Sequence, residues 1–342
     1  MDQETILSVE NFNLFFNLRG ERLHAIRNVS LSINRGECLA IVGESGSGKS
    51  VFCRSLLGLN DKNSYIGSGT ITYGQRDLAK ITAEEEWQKI RGKEIAIVMQ
   101  DPMTSLNPLI PVGKQVAEAV SIHQGLKGKP AKQRAIQALV DVGIDNAAKR
   151  YSQYPHEFSG GMRQRVVISI AIACQPRILI CDEPTTALDV TIQAQILNLV
   201  KDLQKKHGLT TIYVTHDLGV VATVADRVAV MYAGEFVEIG TAEEIFFESR
   251  HPYTWALLSS MPQLGTKGED LFTIPGAPPN LFMPIAGDAF APRNPFALKI
   301  DFVEAPPFFQ VSDTHFVKSW LLDEMAPDIQ PPEAAMRKRG LR

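Results

Sequence analysis

The feature that most constrains this chain is a glycine-rich motif between a predicted strand and a predicted helix. The motif follows the apolar run Cys38–Val42 and precedes the helix-compatible segment 51–58, which begins at Val51. It matches the pattern G-x-x-x-x-G-K-[ST] at eight consecutive residues, Gly43, Glu44, Ser45, Gly46, Ser47, Gly48, Lys49 and Ser50. A strand, a glycine-rich loop and a helix in this order predict a phosphate-binding loop (the P-loop, 43–50).

The residue types of the P-loop explain why it would hold a nucleoside triphosphate. Glycines allow backbone N–H groups to curl around phosphates at a helix N-terminus, where unpaired donors and the helix dipole favour negative charge. We expect Lys49 to reach the β- and γ-phosphates and the Ser50 hydroxyl to ligate Mg²⁺, with contacts extending to Val51. The alternative is a glycine turn with a solvated lysine, which the strand and helix on either side disfavour.

Composition limits the classes of protein to consider. The chain has 342 residues, which is longer than one compact core usually is, so we expect two units or one core with appendages. Its hydrophobic content of 44% can fill a sizeable interior. A net charge of -3 offers no general basic field, so nucleic acid is not expected as a partner. Cysteines 38, 53, 174 and 181 lie in apolar or helical stretches without a C-x-x-C pair, which predicts buried thiols in a reducing compartment.

Hydropathy predicts a soluble chain. No apolar run approaches the ~18 residues of a membrane span, and the polar start 1–5 lacks the order of a signal peptide. We therefore expect any membrane contact to be made through a partner.

Periodicity predicts an α/β fold around the P-loop. Strands are expected at 6–16, 26–33, 69–73, 95–100, 178–181, 210–214 and 227–232, with the first two antiparallel and 69–73 and 95–100 forming a pair. Helical texture occupies 101–154 as an insertion and returns at 192–207. Alternating strands and helices indicate a mostly parallel sheet covered by helices, followed by a loop-rich, proline-dense C-terminus.

Two acidic residues end the predicted strand at 178–181. Asp182 and Glu183 would emerge at the carboxyl edge of the sheet, where ligands of open parallel sheets bind, beside the P-loop. Asp182 is the candidate Mg²⁺ ligand, and Glu183 is the candidate base that polarises the attacking water. A strand simply capped by acids is the alternative.

A third motif reads Phe158-Ser159-Gly160-Gly161-Met162-Arg163-Gln164-Arg165 and leads into the apolar segment 166–173. It resembles the signature of ATP-binding cassette (ABC) proteins. A serine and two glycines at a helix start suit an anion. The resemblance implies that two subunits dock head to tail, each ATP lying between the P-loop of one and Ser159, Gly160 and Gly161 of the other.

Further positions match the same family in the family's order. Phe16 matches the aromatic that stacks on adenine, with an ordinary core phenylalanine as the alternative. Gln100 matches the glutamine that senses Mg²⁺ and the attacking water. Asp189, after Ala187 and Leu188, matches the loop that crosses the dimer interface, and His216 matches the switch histidine that bonds the γ-phosphate.

Five longer stretches narrow the family further. They are QDPMTSLNP at 100–108, HDLGVV at 216–221, MYAG at 231–234, HPYT at 251–254 and IPGAPP at 274–279. Together they resemble the ATP-binding subunits of bacterial oligopeptide and dipeptide importers. The resemblance implies a peripheral ATPase on the cytoplasmic face of the membrane. It implies a sister ATPase, two permease subunits and an extracytoplasmic peptide-binding protein as partners. Nickel and other solutes use similar subunits.

The resemblance also implies a P-loop NTPase core with an N-terminal antiparallel β subdomain, a helical insertion and a C-terminal appendage. The cassette is expected at 1–250, with the insertion at about 101–165, and the appendage at 251–342. Two other functions stay open. One is a soluble cassette ATPase without a transport role, and the other is a regulatory cassette without activity.

One departure from the family pattern concerns an iron-sulfur cluster. Many relatives carry cysteines in a frame that survives here at 287–295 and 315–320, but Asp288, Asn294, Asp301 and Ser319 stand at the cysteine positions. Oxygen ligands do not replace thiolates around iron and sulfur, so no cluster is expected. Binding of Ca²⁺ or Mg²⁺ by the first three is the alternative to solvated polar residues.

Overall fold

The structure of the protein is a computed structural model that describes residues 4–99, 105–185, 189–260, 273–332 and 335. The chain forms two compact units. The first comprises Met1–Glu4, Asn34–Cys38 and Lys80–Val214, and the second comprises Thr5–Ile33, Leu39–Ala79 and Thr215–Arg342.

The strands of the described residues are β1 Thr5–Leu18, β2 Glu21–Asn34, β3 Cys38–Val42, β4 Ser64–Tyr73, β5 Arg76–Asp77, β6 Ile95–Val98, β7 Ile178–Asp182, β8 Thr210–Thr215, β9 Arg227–Tyr232, β10 Glu235–Thr241, β11 Phe309–Gln310 and β12 Phe316–Val317. The helices are α1 Lys49–Ser55, α2 Glu84–Trp87, α3 Val112–Gln124, α4 Lys129–Asp141, α5 Ala147–Arg150, α6 Gly160–Ile172, α7 Val190–His207, α8 Leu218–Val224, α9 Ala242–Phe247 and α10 Pro252–Ser259. Short 3-10 turns occur at Leu78–Lys80, Pro155–Glu157, Ala291–Arg293, Ile300–Phe302 and Trp320–Leu322.

The first unit is built on parallel strands. β7 pairs with β6 on one side and β8 on the other, and all residues of β7 are buried. Burial on both faces explains the uninterrupted apolar run of β7. Helices α3, α4 and α6 pack on one another. α7 ends at Gly208 in the left-handed conformation, after Lys205, Lys206 and His207 in its last turn, which suit the negative end of the helix dipole.

The second unit contains antiparallel strands and the C-terminal segment (273–332). β2, β1, β4 and β5 form a sheet in that order. β3 pairs in parallel with β9, and β10, β12 and β11 continue antiparallel from β9. The C-terminal segment therefore contributes two short strands to the sheet that contains β3, the strand before the P-loop.

The structure confirms the general α/β character of the chain and corrects one pairing. The predicted pair of 69–73 with 95–100 is wrong, because β4 pairs with β1 and β5 whereas β6 pairs with β7. The reason lies in the burial patterns. β4 alternates between buried and more exposed residues from Ile71 to Tyr73, as in a sheet with one solvated face, while Ile95, Ala96 and Val98 of β6 are all buried.

Strand β10 and the two-residue strands β5, β11 and β12 were not predicted. β10 follows β9 through a tight turn at Ala233 and Gly234, whose φ values of 48° and 83° suit a two-residue hairpin. Within the described residues, no helix is long and apolar enough to cross a membrane.

Candidate functional site

The P-loop joins β3 to α1, and two of its glycines are required by close backbone approach. A β-carbon at Gly43 would lie 2.1 Å from the carbonyl oxygen of Met231, so no larger residue fits without displacing backbone. Gly48 has φ +107°, and a β-carbon there would lie 3.1 Å from the carbonyl oxygen of Ala25. The two glycines therefore set the path of the P-loop against β2 and β9.

Lys49 lies across the inside of this loop. Its Nζ donates to the carbonyl oxygens of Gly43 and Glu44, each at 2.8 Å, and its side chain is buried with only 6% exposure. Ser45 and Gly46 are exposed at the tip of the loop. Helix α1 begins with Gly48 at its N-cap, so no side chain caps its first turn. Such a helix start leaves backbone donors for an anion.

Ser47, Ser50 and Val51 complete the predicted phosphate-contacting set. Ser47 is buried and its carbonyl oxygen accepts from Gly234 N–H at 2.8 Å, which ties the P-loop to the β9–β10 turn. Ser50 and Val51 are half-buried in the first turn of α1.

The two acids in the first unit have different exposures. Asp182 ends β7 and is 4% exposed, whereas Glu183 is half-buried. Glu183 has φ 47°, a region that non-glycine residues rarely adopt and that often marks functional sites. Its N–H donates to the carbonyl oxygen of Val214 at 2.9 Å, so β8 holds the backbone of Glu183 in place.

The signature residues start helix α6. Ser159 is its N-cap, and the Oγ accepts from Met162 N–H at 3.4 Å. Ser159 and Gly160 are exposed, whereas Gly161 is buried. A β-carbon at Gly161 would lie 2.6 Å from Ile192 Cγ2, so glycine allows α6 to pack against α7.

The remaining predicted residues are placed as follows. Asp189 is exposed and caps α7 by accepting from Ile192 N–H at 2.9 Å. His216 is exposed immediately after β8. Gln100, together with Ala187 and Leu188, lies outside the described residues.

Phe16 is half-buried near the end of β1. Its neighbour Phe15 stacks on His24 at 4.1 Å and on Tyr65 at 5.4 Å, with the Arg22 guanidinium 4.6 Å from the Phe15 ring. Successive residues of a strand point to opposite faces, so the two rings are on different sides of the sheet. The adenine-stacking role of Phe16 stays a prediction.

Sequence reasoning missed two residues that bond to the P-loop residue Glu44, Arg293 and Tyr253, and a third, Tyr232, that bonds to Arg293. Arg293 forms a two-pronged ion pair with Glu44, with N–O distances of 2.6 and 3.0 Å. The Tyr253 hydroxyl accepts from Glu44 N–H at 2.8 Å, and the Tyr232 hydroxyl accepts from Arg293 Nη1 at 3.2 Å. One feature of the sequence could have pointed to Arg293. The arginine is retained between Pro292 and Pro295 in the iron-sulfur motif at 287–295, although the cysteines of that motif are replaced.

The four residues at the cysteine positions each hold a local turn. Asp288, Asn294 and Ser319 accept from the backbone N–H two residues later, at 3.0, 2.9 and 3.3 Å, and Asp301 accepts from Leu298 N–H at 2.6 Å. Burial raises the pKa of Asp288 to about 6. The absence of an iron-sulfur cluster stays a prediction. Cysteines 38, 53, 174 and 181 are buried and form no disulfide, as predicted.

Two known protein families match separate parts of this chain. Residues 26–186 match the family described as "ABC transporter", and residues 237–300 match "Oligopeptide/dipeptide transporter, C-terminal region".

Similar curated proteins span nearly the whole chain. The oligopeptide transport ATP-binding protein AmiE of Streptococcus pneumoniae is 53% identical over 97% of this chain and 93% of its own length. OppD of Bacillus subtilis, an oligopeptide transport ATP-binding protein, is 56% identical over the same shares. The dipeptide transport ATP-binding protein DppD of Lactococcus lactis is 53% identical over 97% of this chain and 95% of its own length.

Solved structures agree with the predicted fold class. The ATP-binding cassette MJ0796, a dimer in a post-hydrolysis state bound to ADP and Pi, is 28% identical with a TM-score of 0.61, covering 69% of this chain and 98% of that one. CbiO1 from Clostridium perfringens is 30% identical with a TM-score of 0.62, covering 71% of this chain and 91% of that one. The chain therefore belongs to the ATP-binding cassette family of ABC transporter ATPases, in the group that carries the oligopeptide/dipeptide transporter C-terminal region.

Proposed function

We propose that this chain is the ATP-hydrolysing subunit of a bacterial importer for oligopeptides or dipeptides. The observation that carries the proposal is the P-loop, whose buried Lys49 lies inside a loop fixed by Gly43 and Gly48. Relatives that are more than half identical over almost the whole chain, and that are named for peptide transport, support the substrate class.

The nucleotide site is proposed to use residues from two subunits. The P-loop and Val51 of one subunit hold the triphosphate, with Lys49 at the β- and γ-phosphates and Phe16 on the adenine. Ser159, Gly160 and Asp189 are exposed in this chain, and in this proposal they would contact the nucleotide held by a second subunit. MJ0796 is described as a dimer bound to ADP and Pi, which supports a nucleotide site that involves two subunits.

Mg²⁺ is proposed as the companion of ATP, held by Ser50, Asp182 and Gln100. The hydroxyl of Ser50 and the carboxylate of Asp182 are hard oxygen donors of the kind that Mg²⁺ prefers, so the donor set fits the ion. When bound, the ion would neutralise charge on the β- and γ-phosphate oxygens.

Glu183 is proposed as the base for hydrolysis. Its carboxylate would accept a proton from water as the water oxygen attacks the γ-phosphorus. The bond to the β–γ bridging oxygen breaks, and ADP leaves with the electron pair. His216 would donate a hydrogen bond to the γ-phosphate. The positive φ of Glu183 and the hydrogen bond from its N–H to the carbonyl oxygen of Val214 fix its backbone, which supports this role.

The chain is proposed to work at the cytoplasmic face of the membrane in a larger complex. Its partners would be a sister ATPase, two permease subunits and an extracytoplasmic peptide-binding protein. ATP binding would close the ATPase pair and switch the permease, and hydrolysis would reset it.

The test is to purify the chain in detergent with its permease subunits, reconstitute the complex in vesicles, and measure ATPase activity and uptake of labelled peptides. Peptide-stimulated ATPase activity with uptake supports the proposal. Lys49→Ala should weaken nucleotide binding, and equal affinity in that variant would contradict the P-loop assignment. Uptake of nickel but not peptides would overturn the substrate class, and purification without permeases would favour a soluble cassette.

A further inference from the structure

The C-terminal segment reaches the P-loop through one deeply buried arginine. The Arg293 side chain is 4% exposed, and its Nη1 and Nη2 donate to the two carboxylate oxygens of Glu44. The same guanidinium donates through Nε to the carbonyl oxygen of Pro275 at 2.8 Å. Arg293 therefore joins the start of the C-terminal segment to the second residue of the P-loop.

Glu44 connects Arg293 to Lys49, the lysine proposed to bind phosphate. Its carbonyl oxygen accepts from Lys49 Nζ at 2.8 Å and from Ser47 N–H at 3.2 Å, and its N–H donates to the Tyr253 hydroxyl. Backbone and side chain of Glu44 are thus both anchored. A shift of Glu44 would move the acceptor to which Lys49 is bonded.

The opposite charges of Glu44 and Arg293 also affect phosphate binding. An ionised carboxylate in a loop that binds phosphates repels the ligand unless an opposite charge cancels it. Glu44 is 27% exposed, so its charge is only partly screened by water, and Arg293 provides the compensation. The flat fork of arginine matches both carboxylate oxygens, which a lysine ammonium does not do.

We propose that Arg293 is a positioning residue for the nucleotide, linking the C-terminal segment to phosphate binding through Glu44. The proposal rests on the proposed ATP site. Since linkage is reciprocal, Arg293 affects nucleotide affinity, and nucleotide in turn stabilises the segment around Arg293.

The first test is a double-mutant cycle on the full chain with ADP as the probe. Arg293→Met keeps the packing of the stem but leaves Glu44 uncompensated, and it should weaken ADP affinity about tenfold. The same change in a Glu44→Gln background should cost about twofold or less, because the repelling charge is absent. Equal losses in both backgrounds would overturn the proposal.

Controls separate this role from general loosening of the segment. Lys318→Gln removes another ion pair of the C-terminal segment, to Glu235 at 2.5 Å, and does not touch Glu44. It should leave ADP affinity unchanged. Arg293→Lys keeps the charge without the fork and should weaken ADP affinity about threefold. If Lys318→Gln weakens affinity as much as Arg293→Met, the effect is structural and the proposal fails.

The second test reads the linkage in the opposite direction. ADP should slow hydrogen exchange of backbone amides at 288–301 in the native chain, and this protection should be reduced in Arg293→Met at ADP concentrations that saturate both proteins. Identical protection in both would contradict the proposal. Loss of ADP binding in Lys49→Ala together with no effect of Arg293→Met would reject this inference and leave the proposed function intact.

Discussion

Gly161 in the first turn of α6 lies directly against Ile192 in the first turn of α7, so that a β-carbon at position 161 would be 2.6 Å from Ile192 Cγ2. Glycine inside a helix ordinarily costs about 1 kcal/mol relative to alanine. The close contact reverses that expectation, because the Ile192 side chain or the helix that carries it must shift to admit a methyl group.

Gly161→Ala should therefore lower the free energy of unfolding, by about 1–3 kcal/mol. Denaturant unfolding of the full chain measures it. Ile192→Ala removes the clashing methyl, and the double variant should recover much of the loss. Gly161→Ala as stable as the native chain would show that α6 and α7 are not in this contact.

Gly43→Ala should reduce nucleotide affinity by more than about tenfold, because the new β-carbon would collide with the carbonyl oxygen of Met231 at 2.1 Å and displace the P-loop. Titration with a fluorescent ADP analogue measures this affinity. Gly36→Ala is the matched control, since Gly36 also has positive φ, +78°, but has nothing within 4 Å of its β-carbon position. It should cost about 1 kcal/mol of stability and leave affinity unchanged.

Asp288→Asn should stabilise the protein at neutral pH. Burial raises the pKa of Asp288 from 3.8 to about 6, so the native state keeps a proton that the unfolded state releases, and stability falls as pH rises from about 4 to about 6. Asparagine removes this cost and retains an oxygen acceptor for Phe290 N–H. The gain should be about 1–2 kcal/mol at pH 7.5 and vanish near pH 4. An equal difference at both pH values would contradict the assigned ionisation.

Purified protein is expected to contain no iron-sulfur cluster. Backbone N–H groups bonded to Asp288, Asn294, Asp301 and Ser319 hold the loops at the cysteine positions. Anaerobic purification followed by iron and acid-labile sulfide analysis tests this, and chelators should not change the unfolding midpoint. Stoichiometric iron and acid-labile sulfide in the purified protein would contradict the prediction.

The sequence predicted the order of the main strands because apolar periodicity reports burial directly. β9 occupies 227–232 as expected, and helix α7 begins two residues before the predicted start at 192. The P-loop could be predicted because its conformation depends on glycines at fixed positions in one short stretch of sequence. Gly43 has φ 152° and approaches Met231, both consequences of one short motif.

Contacts distant in sequence were not predictable in the same way. Arg293 and Glu44 are 249 residues apart, and no local pattern pairs them. β12 has two residues, Phe316 and Val317, too few to show a period, and its pairing with β10 depends on the fold of the whole second unit. Asp182 and Glu183 were predicted from two acids at a strand end combined with the P-loop, whereas His216 was assigned through the resemblance to the family. Periodicity alone does not separate these residues from ordinary strand ends.

The most direct test of the central claim is the ATPase rate of the complete permease complex carrying Glu183→Gln. Glutamine keeps the size of the side chain but cannot accept the proton of the attacking water. The account predicts retained ATP binding, a rate lower by at least about a hundredfold and an accumulated closed ATPase pair. A rate equal to that of the native complex would contradict the assignment of Glu183 as the catalytic base.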